Sequence, residues 1–149
     1  MTWLPDRPYT AGEWGYVNGK GRSTTSEIYN TVDGPVYQTW MEDITEYKID
    51  APAGTYEVEL LMADVSRPAR QQANLLGKGD ERASAASKRF DITICGEVVE
   101  QNFSPADNDR YLNACRRRYI VNNNDGCIDI RFTPLQGKPV LSGLKVRRL

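Results

Sequence analysis

Histidine is absent from the 149 residues, and this absence limits the chemistry that the chain can perform. It excludes Ser-His-Asp and Cys-His catalysis and the usual zinc sites. Glycoside hydrolysis needs only two carboxylates, for which Glu13, Glu42, Asp43 and Asp64 are candidates. Exposed carboxylates are common on any protein surface, however, so we expect no catalytic residue in this chain.

The stretch EWGYVNGKG carries three side chains that suit a hydroxyl-rich ligand such as a sugar. Trp14, Tyr16 and Asn18 stand in a glycine-broken segment that the pattern predicts to be a loop, and loops carry many binding residues. An indole offers apolar area together with one N–H donor, and an amide both donates and accepts hydrogen bonds. We predict that these three residues contact a ligand.

The stretch PVYQTWMED, residues 35–43, adds two aromatic rings and two carboxylates. If it forms a strand, alternation places Trp40 and Glu42 on one face and Tyr37 on the other. We predict that Tyr37 belongs to the core and that Trp40 and Glu42 face a ligand. The alternative for Trp40 is packing in the core or at an interface. Asp64 ends a strand with the parity of core residues, so we expect a structural, hydrogen-bonded carboxylate.

The cysteines and the Asn/Asp-rich turns give weaker signals. Three cysteines, Cys95, Cys115 and Cys127, cannot all pair within one chain, and we expect small, mostly buried thiols. Cys115 and Cys127 flank a predicted hairpin with its turn at NNNDG, residues 122–126, which places them out of register for a bridge. This turn and DNDR, residues 107–110, have oxygen ligands for calcium but lack EF-hand spacing. We predict no cofactor, with a structural calcium as the alternative.

Charge is distributed unevenly along the chain although the net charge is only −1. Residues 1–64 hold 4 Lys/Arg and 11 Asp/Glu, whereas residues 65–149 hold 15 and 9. Two interleaved halves of one domain would neutralise each other. The alternative is a nucleic-acid surface formed by CRRRY and the arginines of residues 67–89. No nucleic-acid motif and no membrane-length apolar run accompany the charge, so we predict neither partner.

Apolar residues recur with a period of two in segments bounded by Gly, Pro, Asn and Asp. The pattern predicts strands in TYEVELLMADV, RFDITICG, CIDIRFTP, EYKIDAPAG, PVLSGLKV and around residues 116–121. Such a set predicts an all-β fold, an antiparallel β-sandwich. Residues 66–87 interrupt it as a long insertion, either disordered or in contact with a ligand or partner, with a possible helical turn at 71–76.

The ordered segments YTAGEWGYVNG, VYQTW, YKIDAPAGTYEVELLMADV, KRFDITICGEVV and GKPVLSGLKV resemble the malectin-like domain family. The resemblance covers about residues 9–146 and fails across 66–87. It implies a jelly-roll-like sandwich that binds glycans through aromatic residues and an aspartate at one end, without catalysis. Its form is similar to accessory domains near the C-terminal end of bacterial family-2, β-galactosidase-like glycoside hydrolases.

The family's ligand positions map onto this chain only in part. The tyrosine of the family's D-Y-G stretch is nearest to Tyr16, and the tyrosine that closes Y-Q-T-E-R-Y falls on Glu42. The aromatic pair after A-E-V falls on Ser66 and Arg67, and the late aspartate falls near residues 136–137. Three of the four regions therefore carry a different residue type. Arg67 has a planar guanidinium that could bind hydroxyls or a carboxylate in place of an aromatic ring.

Together these features predict a single domain, residues 1–149, that belongs to a larger, periplasmic or secreted glycoside hydrolase. The domain would bind an oligosaccharide or polysaccharide through Trp14, Tyr16, Asn18, Trp40, Glu42 and Arg67, and would contact the catalytic domain of its parent. The alternative is a structural docking or dimerisation module that has no ligand of its own.

Overall fold

The computed structural model describes residues 3–65, 88–106 and 111–149. Their strands are antiparallel and form three sheets, in the orders β1-β4-β9-β6-β7, β10-β3-β2 and β11-β5-β8. The elements are β1 Trp14–Val17, β2 Lys20–Ser23, α1 Gly34–Tyr37, β3 Thr39–Glu42, β4 Glu46–Asp50, β5 Gly54–Met62, β6 Arg89–Ile94, β7 Glu97–Phe103, β8 Cys115–Asn123, β9 Cys127–Gln136, β10 Val140–Leu141 and β11 Gly143–Arg148.

The segment 140–148 joins the two three-stranded sheets into one layer. Its first part, β10, pairs with β3, and its second part, β11, pairs with β5. Between them, the N–H of Ser142 donates to the carbonyl of Leu61 at 2.9 Å. The five-stranded sheet faces this composite layer, so the predicted all-β antiparallel sandwich is confirmed.

The core lies between the two layers and is built by the predicted alternation. In β6 every second residue is buried, namely Phe90, Ile92 and Ile94. Phe90 packs edge-on against Phe103 and Phe132, with ring centroids 5.7 and 6.0 Å away. The same cluster takes in Val58, Leu60 and Met62 from β5 and Ile128, Ile130 and Phe132 from β9.

A second, smaller core covers the outer face of β5. Leu61 is fully buried there together with Ile28, Tyr37 and Ala63. The chain between β2 and β3, including α1, supplies two of these residues. The face of β5 that alternation predicts to be half exposed is therefore partly covered, and Tyr37 is a core residue as predicted.

Three predictions of local structure were wrong. Two of them concerned where strands begin, and the third concerned which strands pair. Residues 34–37 form α1, with a proline in its first turn, so the strand of the PVYQTWMED stretch begins only at Thr39. The predicted loop of EWGYVNGKG contains β1 and the first two residues of β2. NNNDG is not a hairpin turn, because β8 pairs with β5 and β9 pairs with β4 and β6 in the opposite sheet.

Candidate functional site

A cleft of about 710 Å³ lies on the side of the sandwich, between the β1/β4 edge of one layer and β11 of the other. We call it the tryptophan cleft because Trp3 and Trp14 both line it. Apolar residues form most of its wall, and five polar side chains lie among them: Asp6, Thr39, Tyr47, Ser142 and Lys145. The apolar wall includes Leu4, Pro5, Pro35, Val36, Ile49, Leu141, Leu144 and Val146.

Two glycines allow the N-terminal segment to approach the strands closely enough to form this cleft. A Cβ atom on Gly15 would lie 2.4 Å from the backbone of residues 7–9, so only glycine permits that segment to run beside β1. A Cβ on Gly143 would lie 3.3 Å from Cζ3 of Trp3 and 3.0 Å from Cγ1 of Val36. Glycine inside a strand often marks such an approach, and this is the signal from which the cleft could have been suspected.

Trp14 is the predicted ligand residue that the structure places in the cleft. It lies half-buried on β1, opposite Ile49 of β4. The guanidinium carbon of Arg7 lies 3.6 Å from the centre of its ring, and Arg7 also pairs with Glu13 at 3.5 Å. One face of the indole is thus covered by a cation, a contact that holds the ring in place.

Two polar side chains at the cleft have hydrogen-bonding capacity that the fold does not use. The Oγ of Ser142 is buried and has no hydrogen-bond partner within the described residues. Asp6 uses one carboxylate oxygen, Oδ1, to accept from the Tyr47 hydroxyl at 2.8 Å and from the Arg7 N–H at 3.0 Å. A buried hydroxyl without a partner costs about 1–3 kcal/mol, so Ser142 is a position where a ligand would gain a hydrogen bond.

Burial also changes the protonation equilibria at this cleft. Burial raises the pKa of the Asp6 carboxyl, and the hydrogen bonds from Tyr47 and Arg7 only partly oppose that rise. Burial, together with the nearby charge of Asp6, raises the pKa of the Tyr47 hydroxyl. The hydroxyl therefore stays protonated and remains a donor to Asp6 at neutral pH.

The other predicted ligand residues that the structure describes lie outside the cleft. Tyr16 packs against the main core, opposite Tyr47 of β4. Asn18 adopts a positive φ of 56° in the turn after β1, and its amide donates to the Thr45 hydroxyl at 3.2 Å. Arg67 lies outside the described residues, as does the 66–87 insertion with its possible helical turn.

Trp40 and Glu42 lie together on another surface. Met41 between them points into the main core, so both neighbours face outward from β3. Glu42 accepts from Nε of Arg22 at 2.6 Å, and Trp40 lies opposite Arg22 on β2. Sequence analysis missed Trp3, Asp6, Ser142 and Lys145, because only the fold brings the two ends of the chain together.

A second, polar cavity of about 1140 Å³ lies between residues 30–33 and the start of β8. Most of its charged side chains form ion pairs, either with one another or with carboxylates beside the cavity. Arg116 lies 2.8 Å from a carboxylate oxygen of Glu59 and 3.8 Å from one of Asp33. Arg117 lies 3.5 Å from Glu100 and stacks over Phe103. This cavity therefore offers fewer unused groups than the tryptophan cleft.

Ion pairs across the sheets confirm that the two oppositely charged parts of the chain neutralise each other. Arg116 and Arg118 of β8 pair with Glu59, which is almost fully buried on β5. Arg147 pairs with Glu57 at 3.1 Å, and Arg131 with Glu46 at 3.4 Å. The arginines of CRRRY thus lie among acidic neighbours rather than on an uncompensated basic surface.

The remaining predicted positions are structural where they are described. Asp64 is fully buried and accepts from the N–H of Lys88 at 3.3 Å, which confirms its structural role. The three cysteines are partly buried thiols that form no disulfide with one another. No group of three potential metal ligands from His, Cys, Asp and Glu occurs in the described residues. DNDR lies outside them, so the prediction of no cofactor and its alternative, a structural calcium, both stay predictions.

Among the described residues, each of the two cavities is lined by one carboxylate, Asp6 in the cleft and Asp33 in the polar cavity. Glu13 and Glu42, two of the four candidates for hydrolysis, instead form ion pairs with Arg7 and Arg22. The one helix of the described part, α1, has four residues, and no described helix is long and apolar enough to cross a membrane.

Comparison with known proteins gives one family match and several structural neighbours. The malectin domain model matches residues 1–143. A Bacteroides uniformis β-glucuronidase is 42% identical, with a TM-score of 0.85, over 100% of this chain and 16% of that chain. β-Glucuronidase 2 of the same organism, covalently bound to cyclophellitol-6-carboxylate aziridine, is 41% identical, with the same TM-score and coverage.

More distant neighbours share the fold alone. The ANX2 ectodomain from Arabidopsis thaliana is 14% identical, with a TM-score of 0.68, over 98% of this chain and 43% of that chain. No curated protein matches the sequence. The chain spans only 16% of the length of the β-glucuronidases that it matches. These matches confirm the family resemblance and the sandwich that it implied.

Proposed function

Because this chain belongs to the malectin domain family, we propose that it is a non-catalytic, glycan-binding accessory domain of a larger glycoside hydrolase. The parent would be of the β-glucuronidase type that its Bacteroides uniformis relatives represent. The domain would hold an oligosaccharide or polysaccharide near the catalytic domain, in the periplasm or outside the cell. The tryptophan cleft is the site that we assign to the glycan.

The observation that carries this proposal is the pairing of two tryptophans with an unused hydroxyl in one cleft. Trp3 and Trp14 provide the flat apolar surface that a sugar ring needs for its C–H groups. Ser142 provides a buried hydroxyl that can exchange a hydrogen bond with a sugar hydroxyl. Asp6, already oriented by Tyr47, retains a second carboxylate oxygen as an acceptor.

The carboxylates of the domain support a binding role rather than a hydrolytic one. Retaining hydrolysis places two carboxyl groups about 5–5.5 Å apart, and inverting hydrolysis places them about 6.5–9.5 Å apart, in one cleft. Within the described residues each cavity has one carboxylate, and that of the cleft is engaged with Tyr47.

Intrinsic fluorescence tests the proposal because the three tryptophans divide between the cleft and another surface. Trp3 and Trp14 line the cleft, whereas Trp40 lies on the outer face of β3. Titration with neutral and acidic gluco- and galacto-oligosaccharides should change the emission of the wild-type protein. The Trp40→Phe variant should keep this change, and a Trp3→Phe/Trp14→Phe variant should lose it.

Calorimetry on the same variants gives the affinity independently of the fluorophores. Binding by the wild type and by Trp40→Phe, with clear weakening in the double variant, is the expected result. Folding of each variant is checked by its thermal unfolding midpoint. The absence of binding to every saccharide in the panel, with all proteins folded, would refute glycan binding at this cleft.

Docking onto the parent catalytic domain is the second candidate function, and one observation favours it. Leu4 is 68% exposed at the edge of the cleft, beside the apolar Pro5. An exposed apolar patch often marks a protein interface. Under this alternative, Leu4→Ser would abolish association with the separately expressed catalytic domain in sedimentation experiments, and saccharides would neither bind nor compete.

A further inference from the structure

Lys145 is a cation whose expected ion-pair partner, Glu59, already pairs with other residues. The register of β11 and β5 places Lys145 directly opposite Glu59, where an ion pair across the strands would be favourable. Glu59 instead pairs with Arg116 at 2.8 Å and with Arg118 at 3.7 Å. Lys145 forms no ion pair with any carboxylate in the parts of the chain that the structure describes.

The unpaired ammonium lies at the tryptophan cleft. Its Nζ is 5.2 Å from the centre of the Trp3 ring, and Lys145 lines the cleft together with Ser142, three residues earlier on the same segment. The second charged group of the cleft, Asp6, is engaged by Tyr47 and by the Arg7 N–H. Among the described residues that line the cleft, Lys145 is the one cation, and no carboxylate pairs with it.

We propose, as an extension of the glycan-binding function above, that the ligand of this cleft carries a carboxylate and that its class is a hexuronic acid-containing saccharide. Lys145 pairs with the carboxylate, and Ser142 exchanges a hydrogen bond with a neighbouring hydroxyl. The indoles and the apolar wall contact the C–H faces of the sugar ring. Lys145 thereby sets the preference for acidic over neutral sugars.

A matched set of ligands and variants tests this assignment by calorimetry. The ligands are oligosaccharides of glucuronic and galacturonic acid and the corresponding neutral oligosaccharides of glucose and galactose. At low salt the wild type should bind the acidic member of each pair about 1.5- to fivefold more tightly, as expected for one partly exposed ion pair. Raising the ionic strength to about 1 M should remove most of this preference.

The variant Lys145→Met keeps the length of the side chain and removes its charge. It should lose the preference for the acidic ligand while its affinity for the neutral ligand stays within about twofold of wild type. Lys145→Arg should restore the preference. Lys138→Met, at an exposed lysine that does not line the cleft, is the matched control and should behave like the wild type.

Different results overturn different parts of the reasoning. Equal affinity of the wild type for acidic and neutral oligosaccharides would refute the uronate assignment and leave glycan binding intact. Equal weakening of both ligand classes in Lys145→Met would also refute it, because the lysine would then support the shape of the cleft rather than select charge. Failure of every saccharide to bind would refute both proposals.

Discussion

Replacing Gly143 with alanine tests whether the tryptophan cleft depends on the close approach of Trp3 to β11. The new Cβ would lie 3.0 Å from Cγ1 of Val36, 3.3 Å from Cζ3 of Trp3 and 3.5 Å from Cβ of Leu61. The first two separations are shorter than ordinary carbon contacts of about 3.5–4.0 Å. Either α1, which carries Val36, or the Trp3 side chain must therefore move.

Two estimates of the energetic cost agree. Forcing an extra methyl group into a packed position typically costs about 1–3 kcal/mol. If Trp3 moves out instead, roughly 100 Å² of apolar contact is lost, which costs about 2.5 kcal/mol at ~25 cal/mol per Å². We therefore expect Gly143→Ala to lower the free energy of unfolding by about 1–3 kcal/mol.

Urea denaturation measures this loss, and tryptophan emission reports whether Trp3 has become more exposed. Gly21→Ala is the matched control, because a Cβ there meets no atom within 4 Å. That variant should be neutral or slightly more stable, since alanine restricts the unfolded chain. If Gly143→Ala were as stable as Gly21→Ala, with unchanged emission and saccharide affinity, the proposed role of this glycine would be wrong.

Three further predictions concern the rest of the sandwich. The hydrogen bond from the Tyr9 hydroxyl is the largest cause that lowers the pKa of Asp50. The stability that this hydrogen bond contributes is present above about pH 4 and disappears as the pH falls through the folded-state pKa of Asp50. Tyr9→Phe should therefore lose stability at pH 7 and show a shallower decline in acid, measured by urea denaturation at several pH values. Arg116→Met should cost about 1–2 kcal/mol, because Glu59 remains buried and loses the shorter of its two ion pairs, and a Glu59→Gln/Arg116→Met double-mutant cycle measures that coupling. Phe90→Ala should cost about 3–5 kcal/mol in thermal or urea unfolding, since two aromatic contacts and a fully buried side chain are lost.

Strands with one buried face could be predicted from the sequence because burial imposes their period of two. β5, β6 and β9 bury alternate residues in the main core, as their patterns indicated. β2 and β7 could not be found this way. All four residues of β2 are exposed, and β7 buries only Phe103, so neither carries an apolar repeat. Their strand conformation comes from pairing with β3 and β6.

Which strands pair was less predictable than where the strands lie. An Asn/Asp/Gly turn between two strands fits a hairpin as well as a crossing between layers. Here the amide of Asn123 donates to the carbonyls of Ala51 and Pro52, and so joins the end of β8 to the β4–β5 connection. Such a long-range contact leaves no local signature in the sequence.

The candidate site was the least predictable part, since its members are far apart in sequence. Trp14 was predicted from the residues next to it in the sequence. Trp3 and Lys145, by contrast, come together only because the N-terminal segment lies against β11 in the folded chain. Of the aromatic residues that sequence analysis grouped with Trp14, Trp40 lies on β3, which belongs to a different sheet from β1, and Tyr16 packs against the main core.

The segment 140–148 lines the cleft with polar groups that the fold does not need for its stability. Its backbone is held by β3 and β5, including the bond from the Ser142 N–H to Leu61, so the fold does not need the Ser142 hydroxyl. Likewise, Arg116 and Arg118 neutralise Glu59, so the fold does not need the Lys145 charge. Ser142 and Lys145 both line one cleft, and a hydroxyl without a hydrogen-bond partner and a cation without a carboxylate partner are the groups that our proposal assigns to an acidic sugar.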